Sequence, residues 1–207
     1  MTNHLTRKRR RKAIVAGVVL LAAVLGTAAV VYVRYFGEPK RFAVVQDRVL
    51  YRSAQPTTGQ ISHLIDEIGL RTILIVREGS SKRIPNEVDY ARGRGLDVVH
   101  IPIKSRKPVP DDQIKTFFRC VDNADSRPVL IHCSAGRHRT GYLCALYRIE
   151  RQGWTVQQAI DEMLSFGFDA ESQAKVLEQL RNYKPGRWKE AISTATVRDT
   201  SRSATLP

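Results

Sequence analysis

The chain has 207 residues, of which 34 are Lys or Arg and 20 are Asp or Glu, so its net charge is +14 at pH 7. This length allows one domain with an extensive core and some additional segments. A basic surface suits an anionic small molecule, an anionic membrane or a nucleic acid. Because the sequence has no nucleic-acid-binding motif and no basic helix with interleaved aromatic residues, we do not expect nucleic-acid binding.

The N-terminal segment has the pattern of a membrane anchor. Residues 13–33 contain no charged residue and no proline, and about 20 apolar residues span the hydrocarbon core as a helix. Six basic residues precede this run, and Tyr32, Tyr35 and Phe36 lie at its far end like an interfacial belt. We predict a transmembrane signal anchor, with residues 1–12 in the cytoplasm and the domain on the non-cytoplasmic side. A cleaved signal peptide is the alternative, but no clean Ala-x-Ala site follows the run.

After a short linker at 34–41, we expect a single domain over residues 42–183. Hydrophobic periodicity and turn signals predict its elements. In the first half these are a hairpin at 42–45 and 49–51, a helix at 59–68, a strand at 71–76, a helix at 85–92 and a strand at 96–101. The strand at 71–76 is apolar along its whole length, so we expect it near the centre of the sheet.

The second half continues the alternation of strands and helices. We predict a helix from Pro110 to about residue 123, a strand at 128–131, a buried helix at 142–147, a helix that starts at the capping box of Thr155, and a last helix at 170–183. Residues 184–207 lack periodicity and are expected to form a disordered tail. The pattern predicts an α/β fold, a small and largely parallel sheet flanked by helices, preceded by one transmembrane helix.

The stretch His132–Gly141 lies between the predicted strand at 128–131 and the buried helix that follows it. Cys133 therefore leads a tight loop that ends at a helix N-terminus. Unpaired backbone N–H groups and the helix dipole favour an anion there, and the same environment lowers the pKa of a thiol. The sequence thus predicts that Cys133 is a thiolate nucleophile in an anion-binding loop.

Three other residues of this stretch fit the same chemistry. Arg139 can present a planar fork to two oxygens of a bound oxyanion. Gly136 lets the backbone turn with its amides pointing inward. The Thr140 hydroxyl can hydrogen-bond the thiolate and stabilise it as a leaving group.

The pattern His-Cys-x5-Arg-Thr-Gly resembles the phosphate-binding loop of the cysteine-dependent tyrosine and dual-specificity phosphatases. The resemblance implies that Cys133 attacks phosphorus and forms a phosphocysteine, and that Arg139 holds the phosphoryl oxygens. It also implies a set of phosphate-binding residues around the loop: Ser134, Ala135, Gly136, Arg137, His138 and Arg139. A structural cysteine, a rhodanese and an arsenate reductase are the alternatives, and the flanking His and Arg-Thr-Gly argue against the last two.

The same family uses an aspartic acid on a separate loop to protonate the leaving oxygen. In this chain the corresponding loop at 101–110 has no carboxylate and carries a basic run, Lys104-Ser105-Arg106-Lys107. We assign the acid to Asp111, with Asp112 as the alternative, although both fit equally well as partners of a helix dipole. The basic loop resembles the atypical dual-specificity phosphatases of plants and fungi, some of which act on inositol pyrophosphates. Arg77 either faces substrate or forms a structural salt bridge.

The other two cysteines do not extend the site. Cys120, Cys133 and Cys144 form neither a disulfide framework nor a zinc-binding pattern, so we expect no metal and no cofactor. Cys120 and Cys144 lie on apolar helical stretches and are predicted to pack in the core. A disulfide between one of them and oxidised Cys133 is an alternative.

Taken together, the residues and the resemblance predict a membrane-anchored, metal-independent phosphatase that works through a phosphocysteine. Its substrate is a phosphorylated protein, a phosphoinositide or an inositol phosphate. A phosphate-binding module without turnover is the rival prediction, because the aspartic acid of the family is missing from its usual loop.

Overall fold

The computed structural model describes residues 2–79 and 83–188 of the chain. Its first element is helix α1, Thr2–Phe36, which contains the apolar stretch Ile14–Val33. This stretch has 20 residues, and no part of it is buried against the rest of the protein. By length and composition it is able to cross a membrane, and a signal sequence near an N-terminus would meet the same criteria.

Five strands form one sheet in the order β1-β2-β5-β3-β4. The strands are β1 Ala43–Gln46, β2 Leu50–Ala54, β3 Thr72–Ile75, β4 Asp97–His100 and β5 Val129–Cys133. Only β1 is antiparallel to its neighbour, and the pairs β2–β5, β5–β3 and β3–β4 are parallel. The predicted α/β class, the hairpin and the largely parallel sheet are confirmed. The predicted strand at 71–76 corresponds to β3, an interior strand, but the centre of the sheet is β5.

Six helices accompany the sheet within the described part of the domain. They are α2 Thr58–Ile68, α3 Arg83–Gly93, α4 Asp111–Asp122, α5 Arg139–Gln152, α6 Val156–Ser165 and α7 Ala174–Arg181. Local sequence signals set several ends. Thr57 and Gln60 form a capping box before α2, and Gly69 ends that helix with φ of 63°. The predicted capping box of Thr155 is also present.

Side chains are buried on both faces of the sheet, which explains why β5 begins with three apolar residues, Val129 to Ile131. Ile131 belongs to a cluster that packs under α4, α5, α6 and α7, whereas the adjacent Leu130 belongs to a second cluster under α2 and α3. Alternate residues of a strand point to opposite faces. All five residues of β5 are therefore buried, and the strand is held rigidly up to its last residue.

The structure changes the predicted ends of several elements. Strand β5 continues two residues past the predicted 131, and α5 starts at Arg139 rather than 142, so the loop between them is shorter than expected. Helix α7 is shorter than the predicted 170–183. Part of the predicted tail packs on the domain, because Trp188 is buried with its ring 6.2 Å from that of Phe118. Residues 189–207 of the predicted tail lie outside the described residues.

Candidate active site

Cys133 is the last residue of the central strand, and a loop of five residues connects it to α5. In the sheet it lies opposite Ala54, the last residue of β2. The loop also contacts the chain beyond β2, since the backbone N–H of Gln55 donates to the carbonyl of Ser134 at 3.3 Å. The predicted strand–loop–helix arrangement is thus present, at the carboxyl edge of the parallel strands.

Gly136 forms the tight point of this loop. Its φ is 67°, and a Cβ atom built there would lie 2.5 Å from the carbonyl oxygen of Ser53 and 2.6 Å from the backbone N of Ala54. Glycine is therefore required both by the left-handed backbone and by the close approach of β2. The close approach holds the loop against the sheet, beside the thiol.

The thiol of Cys133 is 2% exposed, and its pKa is lowered. Burial alone raises the pKa, but hydrogen bonds from the hydroxyl and the backbone of Thr140, the charge of Arg139 and a backbone hydrogen bond from Gly136 together outweigh it. These are three of the residues that the sequence placed around the thiolate. Within the described chain the other two cysteines behave differently, because burial raises the pKa of Cys120 to about 12 and that of Cys144 to about 11. Both pack in the core, as predicted.

Arg139 begins α5 and is half-buried. Its Nη1 atom donates to the carbonyl of Ile103 at 3.3 Å. This bond comes from the loop after β4, so the guanidinium is positioned by a segment outside the phosphate loop. Its assignment as the clamp on phosphoryl oxygens remains a prediction.

The remaining loop residues form a basic and partly aromatic rim. Ser134 is exposed, while Ala135 and Arg137 are half-buried. The ring of His138 packs edge-on against Phe168 with centroids 5.4 Å apart. Burial and the neighbouring charges of Arg137, Arg139 and Arg106 lower the pKa of His138, against the opposing effect of Asp169. The imidazole is therefore favoured in its neutral form.

Two arginines that donate hydrogen bonds to carbonyls of the loop were not predicted from the sequence. Arg52, on β2, is 1% exposed, and its Nη2 atom donates to the carbonyl of Gly136 at 3.0 Å. Its guanidinium lies 3.7 Å from the ring centroid of Phe166. Arg41 donates from Nη1 to the carbonyl of Ala135 at 3.2 Å. A charged residue in an otherwise buried strand is the signal that could have identified Arg52.

Arg52 is almost completely buried, and the ion pairs found among residues 2–79 and 83–188 do not include it. Burial of an unpaired cation is costly. Its direct partner is a backbone carbonyl of the phosphate loop. A thiolate or a bound phosphate in that loop would supply the missing negative charge.

A chain of buried polar side chains supports the loop from the other side. Nε2 of His132 lies 2.7 Å from a carboxylate oxygen of Glu87, and both side chains are nearly inaccessible. The second oxygen of Glu87 accepts a hydrogen bond from Gln55 at 2.7 Å, and Gln55 in turn accepts one from Arg77 at 2.9 Å. Arg77 thus donates to a neutral amide and forms none of the salt bridges found among the described residues, and its role toward substrate stays a prediction.

The predicted general acid, Asp111, lies at the start of α4 with its carboxylate paired to the guanidinium of Arg187. Asp112 is exposed in the same turn. The side chains of the basic run at 104–107 are also exposed. The role of Asp111 stays a prediction, and the structure gives its carboxylate a cationic partner from the C-terminal segment.

No group of three or more His, Cys, Asp or Glu side chains able to hold a metal ion occurs in the described ranges 2–79 and 83–188. The groups that the structure brings together at the loop are the thiol, the guanidinium groups, the Thr140 hydroxyl and the backbone amides. Such a set binds an oxyanion and carries out nucleophilic attack on it.

Comparison with known proteins gives consistent results. A family model described as the tyrosine phosphatase family matches residues 38–195. The inositol diphosphatase DSP4 of Arabidopsis thaliana is 29% identical over 148 residues, which are 70% of this chain and 71% of that protein. The dual specificity protein phosphatase TpbA of Pseudomonas aeruginosa is 30% identical over 127 residues, 61% of this chain and 55% of TpbA. The chain thus spans about half of TpbA and nearly three quarters of DSP4.

Solved structures share the fold. The core catalytic domain of the PP-IP phosphatase SIW14 from Saccharomyces cerevisiae, in complex with citrate, has a TM-score of 0.60 and 25% identity, over 71% of this chain and 87% of that one. A cysteine-to-serine variant of TpbA in complex with phosphotyrosine has a TM-score of 0.54 and 27% identity, over 65% of this chain and 79% of that one. Together with the family match, these likenesses show that the chain belongs to the tyrosine phosphatase family, as an atypical dual-specificity phosphatase of the plant and fungal type and a phosphoric monoester hydrolase.

Proposed function

We propose that this protein is a membrane-anchored phosphatase that hydrolyses phosphate esters through a phosphocysteine on Cys133. The observation that carries the proposal is the environment of that thiol. Its pKa is lowered despite burial, and the groups that lower it belong to the loop that would hold the phosphoryl group and to the first turn of α5. A thiolate is the reactive form of cysteine, so the residue is prepared for attack.

The reaction has two steps. In the first, the Cys133 thiolate attacks phosphorus, the S–P bond forms as the bond to the leaving oxygen breaks, and that oxygen takes up a proton from solvent. In the second, water attacks phosphorus and gives up a proton to solvent, the S–P bond breaks, and inorganic phosphate departs while the thiolate is regenerated. Arg139 and the amides of the loop neutralise charge on the equatorial oxygens in both steps. The Thr140 hydroxyl stabilises the thiolate whenever it is free.

Trapping of the intermediate tests the mechanism. The full chain in detergent, mixed with an aryl phosphate radiolabelled in its phosphoryl group and quenched by denaturation at alkaline pH, should retain label in an alkali-stable, thiol-linked form. Cys133→Ser should retain none, although it should still bind vanadate because the amide cradle persists. Cys144→Ala is the matched control and should be labelled like wild type. Labelling of Cys133→Ser, or turnover in that variant close to wild type, would contradict a covalent route through this cysteine.

The loop after β4 favours a substrate with more than one anionic group, such as a phosphorylated inositol. Lys104, Arg106 and Lys107 are exposed on it, and the charge of Arg106 is close enough to affect the pKa of His138 in the phosphate loop. These cations can neutralise phosphates around the one that is cleaved. The relatives named as inositol diphosphatases support this class by analogy.

A substrate panel tests this preference. Arg106→Ala should raise KM for a diphosphoinositol polyphosphate by about fivefold, as expected for the loss of an exposed ion pair of about 1 kcal/mol, and should leave the kinetics on an aryl phosphate unchanged. Lys115→Ala, an exposed change on α4, is the control. A wild-type enzyme that prefers a phosphotyrosine peptide, with no effect of Arg106→Ala, would instead support a protein substrate.

The anchor is part of the proposal. The stretch Ile14–Val33 is long and apolar enough to span a bilayer, and the basic residues before it place the N-terminus in the cytoplasm by the positive-inside rule. The domain then lies on the other side. A reporter fused after Pro207 that is active only in the cytosol would contradict this orientation.

A further inference from the structure

The end of α1 and the phosphate loop lie at the same edge of the sheet. Ala54 and Cys133 are opposite each other at the ends of β2 and β5. The backbone N–H of Ala54 donates at 2.8 Å to the carbonyl of Lys40, four residues after the end of α1. The chain that leaves the apolar helix therefore runs directly beside the loop that carries the thiol.

Helix α1 is docked on the domain through its last turn. The hydroxyls of Tyr35 and Thr58 are 2.9 Å apart, and the Thr57 hydroxyl donates to the carbonyl of Tyr35 at 2.6 Å. A Cβ on Gly59 would lie 2.8 Å from the ring and the carbonyl oxygen of Tyr35. Helices α1 and α2 thus approach so closely that only glycine fits between them, which fixes the orientation of the domain relative to α1.

Chain geometry keeps Arg41, and with it the loop, within about 23 Å of the hydrocarbon core. The three helical residues beyond Val33 add about 5 Å along the axis, and the head-group region beyond the hydrocarbon core is about 6 Å thick on each side. From Phe36 to Arg41 the chain reaches at most about 18 Å. Arg41 already contacts the loop, through its hydrogen bond to Ala135 at 3.2 Å.

The same edge is basic. Because β4 is parallel to β3, the loop that follows His100 leaves the sheet at this edge, and it carries the exposed run 104–107. Arg139 is tied to it through the carbonyl of Ile103. Lys40 is also exposed here. Lipid head groups that carry a phosphate monoester are anionic, and cations within a Debye length of them are attracted.

From this geometry we propose that the active-site edge faces the bilayer and that the substrate is a phosphomonoester on a lipid head group. The inference rests on the proposed anchor and deepens the proposed function. A lipid-linked phosphate is confined to the surface on which the enzyme is anchored. The docked helix then holds the loop close to that surface, so encounter takes place in two dimensions at high effective concentration.

The full chain in phosphatidylcholine vesicles provides the test. The probes are phosphatidylinositol monophosphate in the same vesicles, its water-soluble deacylated head group, and para-nitrophenyl phosphate. We expect kcat/KM for the lipid to exceed that for the deacylated compound by at least about tenfold. Equal values, with para-nitrophenyl phosphate still hydrolysed, would overturn the membrane-facing site alone. A loss of para-nitrophenyl phosphate hydrolysis in a folded protein would overturn the proposed function as well.

A pair of glycine variants tests the docking. Gly59→Ala places a methyl group against Tyr35 and should reduce the preference for the lipid at least about threefold, while para-nitrophenyl phosphate is hydrolysed as in wild type. Gly93→Ala, at the end of α3 with no atom within 4 Å of the added carbon, is the control and should keep the preference. Thermal unfolding of both variants shows that each is folded. A Gly59→Ala variant with the full preference for lipid would contradict an orienting role of the α1–α2 contact.

Discussion

Thiolate stabilisation at Cys133 depends on a few local groups that work against burial. A buried thiol is normally less acidic than a free one, as Cys144 shows on the next helix. At Cys133 the hydrogen bonds of Thr140 are the largest of the effects that lower the pKa, ahead of the charge of Arg139. The reactivity of the site therefore depends on a neutral hydroxyl as well as on the nearby cation.

Thr140→Val should consequently raise the pKa of the Cys133 thiol. Valine keeps the shape of threonine but removes the hydrogen bond, which to a charged acceptor is worth about 1.5–3 kcal/mol. The thiolate is the form that reacts with iodoacetamide. Since the variant thiol would lose a proton only at higher pH, the midpoint of the plot of inactivation rate against pH should move to higher pH. Thr116→Val, at an exposed position of α4, is the control. A midpoint unchanged from wild type would show that the hydroxyl does not contact the thiolate.

Arg52 gives a second prediction at this scale, because function and stability should respond in opposite ways. Arg52→Met removes a buried cation without a carboxylate partner, so the free energy of unfolding should not fall. The carbonyl of Gly136 loses its donor, and vanadate should bind at least about tenfold more weakly, a loss of about 1.4 kcal/mol. Arg151→Met is the matched control, because it breaks the ion pair with Asp122 and should lower stability while vanadate affinity stays the same. The reverse pattern would make Arg52 a purely structural residue.

The phosphate loop as an element is shaped by the strand beneath it. Its tight turn occurs where β2 leaves no room for a side chain. The left-handed conformation alone costs a non-glycine residue about 1–2 kcal/mol. A Cβ at Gly136 would in addition clash with the backbone of Ser53 and Ala54, so the loop itself would have to move. The conformational cost and the cost of this clash can be separated by experiment.

Gly136→Ala and Gly153→Ala form the pair that separates them. Gly153, after α5, has φ of 70° but no atom within 4 Å of an added Cβ. Gly153→Ala should therefore lose only the conformational cost in the free energy of unfolding and keep its kcat/KM. Gly136→Ala should lose more stability and nearly all vanadate binding. Equal effects of the two changes on kcat/KM would mean that the close approach of β2 does not shape the site.

Sequence reasoning located the elements that carry strong local signals. The capping box of Thr155, the end of α2 at residue 68 and the strand–loop–helix order around Cys133 are encoded within a few residues, and the structure confirms them. The placement of Arg52 and Arg41 depends on strand pairing between β2 and β5, which joins residues about 80 positions apart. A pattern within a few residues does not predict which residues of two distant strands lie opposite each other. The end of α7 and the packing of Trp188 depend likewise on contacts with α4 and its surroundings.

Across the whole molecule, the site is assembled from segments far apart in the sequence. The chain before β1 supplies Arg41, β2 supplies Arg52, and α3 supplies Glu87 beneath His132. The C-terminal segment supplies Arg187, which pairs with Asp111. That ion pair bears on catalysis, because it holds the side chain of Asp111, the first carboxylate after the basic loop, against a guanidinium of the C-terminal segment.

The dependence of rate on the leaving group follows from this arrangement. Protonation matters most when the leaving oxygen is strongly basic, and much less for an acidic phenol or a phosphate that leaves from an anhydride. With the 104–107 run basic and Asp111 paired, we expect kcat/KM for a series of aryl phosphates to fall steeply as the pKa of the phenol rises. Asp111→Asn and Asp112→Asn should both leave that slope as it is in wild type. A shallow slope in wild type that becomes steep in only one of the two variants would identify that aspartate as the general acid and show that the ion pair opens during turnover.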